Sequence, residues 1–380
     1  MKILHVIPSL SPTEGGPSRA LPLVAEALSR RGIEVVTVTT DDSGPGKRDP
    51  QLCESPIETP HETRHHFPKQ TEFYKFSLPL SHWVAAHIRE FDAVHVHALF
   101  SHASVSAAII ARRAKVPYVI RPLGVLNDYG IQNRRRWLKK MSLGLREGPI
   151  LRRAGAVHFT SHDEFEEAYR LGIPLRAEVI PIGIRFPNTQ ERTPDSAEPY
   201  ALYLSRLDPK KNLESLLKAW SRIPDNKRGS WRLRIAGDGD ETYVASLRKL
   251  AEELSIENHV DWLGQVDGAA KEQLLAEADL FVLPSFSENF GIAAAEAMGR
   301  GIPSLLTRGV AVGEEAGPHG ACLLTGTDSE SIRQSLLNAM QNPNLREETS
   351  RKGIAFARDR YSLNRMGESL ENLYEQILAR

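Results

Sequence analysis

The chain has 380 residues, long enough for two domains with cores of their own, and 41% of it is hydrophobic, as in ordinary globular proteins. Its 48 basic residues balance 48 acidic ones, so no global field draws it to nucleic acid. Two distant cysteines, Cys53 and Cys322, exclude a disulfide scaffold and a cysteine metal site and suit a reducing cytosol.

Lys2–Ile7 reads as a strand, with no apolar leader before it, and no apolar run approaches the ~18 residues of a membrane span. The expected location is therefore cytoplasmic. The loop PSLSPTEGGPSR follows, and Pro17 opens a helix with Leu21, Val24, Ala25 and Leu28 at helical spacing. Gly15 and Gly16 thus stand at a strand-to-helix turn, where absent side chains let backbone N–H groups approach an anion or a sugar. After the strand Glu34–Thr39, residues 41–70 are rich in Pro, Gly, Thr and His without periodicity and read as one long loop, mobile or facing an acceptor. Alternation resumes with a helix near 78–89, a strand 93–97, a helix 101–114 and a strand 117–121. His97 ends the strand Ala93–His97, a candidate cleft residue, with His95 one step deeper on the same face as a core histidine. Residues 133–153 form a basic helical stretch with Trp137, Leu138 and Met141 in an apolar stripe. It fits either a peripheral helix on an anionic membrane or a solvated face.

Residues 187–199 read as a linker. The second half again alternates: strands near 200–205, 232–236 and 259–263, and helices near 213–220, 243–254 and 269–278. The apolar run Leu280–Pro284 then leads into a polar loop with Glu288, a helix of small residues through Met298, and a second apolar run. Three further helices close the chain. Each half is expected to be a doubly wound parallel sheet, which binds ligands at the carboxyl edge of its strands.

Two stretches carry candidate chemistry at such edges. Arg206 and Lys211, after the strand 200–205, bring two cations to a helix N-terminus, where they can neutralise a leaving diphosphate. Glu288 and Glu296 lie with seven residues between them. Carboxylates beside free N–H groups suit sugar and ribose hydroxyls, which both donate and accept. Gly237-Asp238-Gly239-Asp240 is open to three readings: a dinucleotide fingerprint lacking its third glycine at Thr242, an Asp-x-Asp metal motif, or a helix-capping turn.

The string Pro-Ser-x-x-Glu-x-Phe-Gly, with Glu-Ala-Met and Gly-x-Pro, resembles the donor-site signature of retaining GT-B-fold glycosyltransferases, the large family 4. The resemblance implies two Rossmann-like domains facing across a cleft: residues 1–187 binding the acceptor, 188–360 binding a nucleotide sugar, and a last helix, 361–380, returning to the first. It implies Arg206, Lys211 and Glu288 as catalytic residues. It places Gly15, Gly16, Gly237, Gly264, Asn289, Phe290, Gly291 and Glu296 on the donor, with Glu296 on the ribose. His97 and Arg121 are candidate cleft residues. No metal and no cofactor are implied beyond the nucleotide-diphosphate sugar; the acceptor would be a saccharide or a lipid-linked saccharide of a cell-surface polysaccharide. The chain departs from the family at Asn212, where glycine is usual, at Leu123, where a histidine is expected, and at Pro181-Ile182-Gly183, which lacks an asparagine. An NAD-dependent oxidoreductase, a GT-B-fold epimerase or phosphorylase and an inactive nucleotide-sugar binder stand as alternatives.

Overall fold

Ile3, Leu4 and Val6 of the first strand are wholly buried, as a parallel strand covered on both faces requires. The computed structural model describes residues 1–126, 141–187 and 198–380. It divides into one unit of Met1–Gly183 with Leu363–Arg380 and another of Ile184–Ser362.

The first unit runs β1 (Lys2–Val6), α1 (Gly16–Ser29), β2 (Glu34–Thr40), β3 (Asp42–Gly44), β4 (Lys47–Arg48), β5 (Ile57–Glu58), β6 (Thr63–Phe67), α2 (Leu78–His87), β7 (Ala93–His97), α3 (His102–Ala114), β8 (Tyr118–Arg121), α4 (Gly148–Arg152), β9 (Ala156–Phe159), α5 (His162–Tyr169) and β10 (Ala177–Val179). Its sheet has the order β10-β9-β8-β7-β1-β2-β6-β5, parallel except where β5 meets β6. One face buries Leu4, Val6, Val94 and Val96 under α2 and α3. The other buries Ile3, Ala93 and Val119 under α1 and the chain's last helix, whose Leu370, Leu373 and Tyr374 join that core.

The stretch 41–70 is not one long loop. It holds β3 to β6, and β6 extends the sheet by pairing in parallel with β2, Val36 opposite Thr63 through Thr40 opposite Phe67. The reason for the difference is compositional: Thr63–Phe67 is half-buried at every position, so it shows no alternation of apolar and polar residues. An ion-pair network then fixes the excursion, with Lys69 bound to Asp42 and Glu72, Lys75 to Asp42, and Arg48 to Asp41.

The second unit runs β11 (Tyr200–Leu204), α6 (Leu213–Ser221), α7 (Asp225–Arg228), β12 (Arg232–Ala236), α8 (Glu241–Glu253), β13 (Val260–Gly264), α9 (Gly268–Glu277), β14 (Leu280–Leu283), α10 (Ile292–Gly299), β15 (Ser304–Thr307), α11 (Ala311–Ala316), β16 (Leu323–Thr325), α12 (Ser329–Gln341) and α13 (Pro343–Arg360). The sheet order β13-β12-β11-β14-β15-β16 is all parallel, the doubly wound arrangement.

The last helix, α14 (Leu363–Leu378), belongs to the first unit, where Gly367 lets it lie against the Ala27 carbonyl of α1 and Arg31 pairs with Glu371. The chain changes unit at Gly183/Ile184 and at Ser362/Leu363. The expected linker falls mostly on 188–197, outside the described residues, as does 133–140 of the basic stretch. Its described remainder holds a wide π turn, Leu143–Glu147, followed by α4.

Candidate functional site

In the second unit, β11 is bonded to β12 on one side and to β14 on the other, so the winding reverses between β11 and β14. A crevice opens at the carboxyl edge where such a reversal occurs, because the flanking loops lead away in opposite directions. Arg206 and Lys211 follow β11 and Glu288 follows β14, so the reversal brings both motifs to one edge.

Asp208 starts the turn Pro209–Lys211 by accepting from the Lys210 N–H at 3.0 Å. This turn directs Lys211 inward, and its ammonium pairs with the Glu288 carboxylate. Lys211 is 9% exposed, while Arg206 is exposed. Burial lowers the Lys211 ammonium to about 8, and the Arg206 charge adds to the shift. The ion pair with Glu288 opposes deprotonation, so Lys211 is a cation at neutral pH.

Asn212 occupies the position where glycine is usual, and its backbone is left-handed, φ 58°. Asparagine tolerates this conformation, and here its amide donates to the Pro284 carbonyl at 3.1 Å and the Thr327 carbonyl at 2.7 Å. The departure from the family pattern thus ties the β11 loop to the β14 loop.

The Glu288 loop is braced by its backbone: Glu288 N–H donates to Gly309 O at 2.7 Å and Ala311 N–H to Glu288 O at 3.1 Å. Gly291, at φ 99°, caps α10. Among the described residues, no acceptor pairs with the N–H groups of Asn289, Phe290 or Gly291. The Phe290 side chain does not face a ligand; it is 4% exposed and packs edge-on against Tyr361. Only its backbone remains available at the loop.

Glu296 lies on α10 and is ion-paired with Lys271 of α9, Oε2 to Nζ 2.6 Å, both side chains mostly buried. Sequence reading missed Lys271, which sits on another helix 25 positions away with no motif around it.

Gly237 and Gly239 are explained by packing. A Cβ on either would overlap the carbonyls of Ser205 and Leu207, and the Leu207 N–H donates to Asp238 O at 2.8 Å. Asp240 accepts from Tyr243 N–H at the start of α8, and Asp238 from its neighbour Gly239 N–H. The capping turn is therefore the reading that fits, and no dinucleotide fingerprint is needed to account for these glycines. Gly264 has φ 66° with open space around it.

In the first unit, Gly15 (φ 74°) is the N-cap of α1 and Gly16 its first residue, with open space where a Gly15 side chain would be. His97 and Arg121 are not exposed cleft residues; they are 1% and 2% exposed. They belong to a polar row on the face beneath α1 and α14. His5 Nδ1 lies 2.8 Å from His97 Nε2, His95 Nδ1 lies 2.8 Å from the Tyr374 hydroxyl, and His158 Nε2 lies 2.8 Å from Ile180 O. Burial, with Arg121 adding, lowers His5 and His158 to about 3, and burial holds His95 and His97 well below the usual value. His5, His95 and His97 have nitrogens within 4.8 Å of one another. The adjacent Arg121 guanidinium gives that spot the wrong potential for a cation. Leu123, in place of the expected histidine, has a strained φ of 59°.

Two family descriptions match the chain between residues 15 and 356: a glycosyl transferase 4-like domain over 15–183 and glycosyl transferases group 1 over 185–356. The chain belongs to the group 1 glycosyl transferases. The GDP-mannose:cellobiosyl-diphosphopolyprenol alpha-mannosyltransferase of Komagataeibacter xylinus is 24% identical over 100% of the chain and 94% of that protein. The O-antigen chain mannosyltransferase B of Escherichia coli is 32% identical over 42% of the chain, which spans only 41% of that relative. Among solved structures, sucrose-phosphate synthase from Thermosynechococcus elongatus superposes with a TM-score of 0.77 at 22% identity, covering 100% of this chain and 99% of that one. Anabaena HepE in complex with UDP and glucose also gives 0.77, at 20% identity and 98% of both chains. These likenesses show the GT-B fold of the chain, two Rossmann-like units. No helix among its described residues is long and apolar enough to cross a membrane.

Proposed function

We propose that the chain is a retaining hexosyltransferase, moving a sugar from a nucleotide-diphosphate sugar to a saccharide or lipid-linked saccharide during glycan assembly. The observation that carries this reading is the meeting of Arg206, Lys211 and Glu288 at the winding reversal of the second sheet. Unbinding of a sugar from its diphosphate leaves negative charge on the leaving phosphate oxygen. A buried ammonium and an exposed guanidinium fixed at that oxygen stabilise it where water is scarce. In this reading the sugar–phosphate bond breaks with its electron pair going to the diphosphate. The acceptor hydroxyl bonds to the sugar carbon on the same face, and its proton passes to the departing phosphate.

Glu288 and the N–H groups of Asn289–Gly291 would hold the sugar hydroxyls, and Glu296, oriented by Lys271, the ribose. Gly16 would offer its backbone N–H group, since the Gly15 N–H is donated to the Pro12 carbonyl at 3.1 Å and Gly15 contributes its left-handed turn, with the first unit taking the acceptor. Relatives whose names contain a diphosphopolyprenol or a phosphatidylinositol support a lipid-linked acceptor, and those naming GDP-mannose support a mannosyl donor. No metal enters the proposed chemistry, because Arg206 and Lys211 supply the countercharge.

The test is donor hydrolysis and transfer across UDP, GDP, ADP and TDP sugars, in excess chelator, with the wild type and Lys211→Met. Turnover should survive chelation and fall by roughly two to three orders of magnitude in the variant. Because Lys211 is buried and paired, its thermal midpoint should fall as well, so turnover is read well below that midpoint. Near-normal turnover in Lys211→Met, or chelator loss restored by magnesium, would reject the assignment.

A further inference from the structure

The charged cluster that closes the 41–70 excursion also reaches the loop after β1. Asp42 is 4% exposed, and its carboxylate accepts from Lys69, from Lys75 at 2.7 Å and from the Ser9 hydroxyl at 2.6 Å. Burial raises the Asp42 carboxyl, but these three donors outweigh it and hold the group below its usual value, so it is ionised. Lys69 and Lys75 belong to the excursion and the turn that follows it. Ser9 lies elsewhere, between β1 and α1.

From Ser9 the bonds run on to the helix. The Ser9 hydroxyl accepts from the Ser11 N–H at 3.1 Å, and the Ser11 hydroxyl caps the turn Pro12–Glu14 by accepting from the Thr13 N–H. The Ser11 carbonyl accepts from the Ser18 hydroxyl of α1 at 2.6 Å. Gly15 then turns the chain at φ 74° and ψ −119°, a backbone that glycine alone adopts readily, and Gly16 opens α1. A second tie runs beside the first, from the Thr40 hydroxyl to the Pro8 carbonyl at 2.7 Å. Ser9 and Ser11 are buried, so the relay is sheltered from competing water. Burying Lys69 and Asp42 costs desolvation, and stability alone is a poor account of such a pair. What the pair does fix is where the Ser9 hydroxyl stands.

We infer that Asp42, acting through Ser9, is a positioning residue for the Gly16 N–H at the start of α1. The inference rests on the reading that Gly16 meets the donor, and it adds what aims that N–H. Aim matters at a reacting centre, where a displacement of about 1 Å can cost about a hundredfold in rate.

Asp42→Asn would leave Lys69 buried without its carboxylate and endanger the fold, so the deciding variant is Ser9→Ala, which keeps both lysine pairs. Hydrogen exchange over residues 8–18 should quicken in Ser9→Ala, while β1, β2 and β6 keep their wild-type protection. The kcat for sugar transfer should fall about tenfold. Affinity for free nucleotide diphosphate should not change, because the same reading gives the nucleotide to the second unit. Ser9→Thr, which restores the hydroxyl, should recover both exchange and turnover. Wild-type exchange over 8–18, a loss of protection spread through the first unit, wild-type turnover, or a turnover loss that Ser9→Thr leaves in place would overturn the inference. A wild type that transfers no sugar from any donor, with exchange over 8–18 still quickened by Ser9→Ala, would instead refute the donor reading and leave the coupling of Asp42 to the turn standing.

Discussion

Acidification should destabilise the first unit before any carboxylate titrates. His5 and His158 are wholly buried and are lowered to about 3, whereas in an unfolded chain a histidine titrates near 6.5. Between those values the unfolded state binds more protons than the folded one, so stability is full above about 6.5 and falls as the pH drops toward 3. At about pH 5 each of these rings removes about 2 kcal/mol, or about 4 kcal/mol for the two. His95 and His97 shift in the same direction and deepen the loss. Such a sum is a large part of the stability of an ordinary domain. The assay is urea unfolding at about pH 7.5, 6 and 5, with hydrogen exchange of β1 and β7 to assign the transition to the first unit. Protection in these strands should fall steeply below about pH 6.5, with uptake of at least about two protons per unfolding event at pH 5. Protection independent of pH across this range would refute the argument that these rings are buried neutral.

The carboxylates of the second unit separate by ligand. Glu296→Gln should weaken free nucleotide diphosphate and intact donor together, by about tenfold or more, while Glu288→Gln spares the free nucleotide; calorimetric titration of both variants decides, and equal weakening would misplace the two roles. Lys271→Met should follow Glu296→Gln on free nucleotide if it orients that carboxylate, and an unchanged titration would make their ion pair merely structural. Gly237→Ala should lower the thermal midpoint strongly, since its side chain would overlap the Ser205 carbonyl; a midpoint within a degree or so of wild type would show that this loop yields. Asn212→Gly should lower the midpoint by losing two bonds to Pro284 and Thr327, partly offset by relief at φ 58°, and a raised midpoint would mean that strain outweighs them.

Much of the second sheet was legible because β11, β14 and β15 are apolar runs and α8 and α12 start at the capping residues Asp240 and Asp328, whereas β16, only three residues long, was not. β14 and the small-residue helix α10 fall where composition alone puts them. β6 was illegible for the opposite reason, since an edge-side strand of Thr, Arg and His has neither an apolar face nor a period. The site was legible as a set of strand-end residues but not as a set of partners. Nothing local joins Lys211 to Glu288 or Lys271 to Glu296; pairing depends on the sheet order that brings β11 beside β14 and on the packing of α9 against its neighbours. His97 and Arg121 misled because strand ends usually open to solvent, whereas here α14, from the far end of the chain, supplies Tyr374 to cover that row.

That cover has a consequence for synthesis. The ribosome completes Met1–Gly183 long before it reaches Leu363, so the emerging polypeptide holds one face of its first sheet covered by α1 alone while the whole of Ile184–Ser362 is made. During that interval Ile3, Ala93 and Val119 have no Leu370 or Leu373 to meet, and the His95 ring has no phenol. The earlier-made half is therefore the later to mature, and a chain terminated before Leu363 would release a nascent product with that face only half covered, a substrate for chaperones and proteases rather than a smaller working protein.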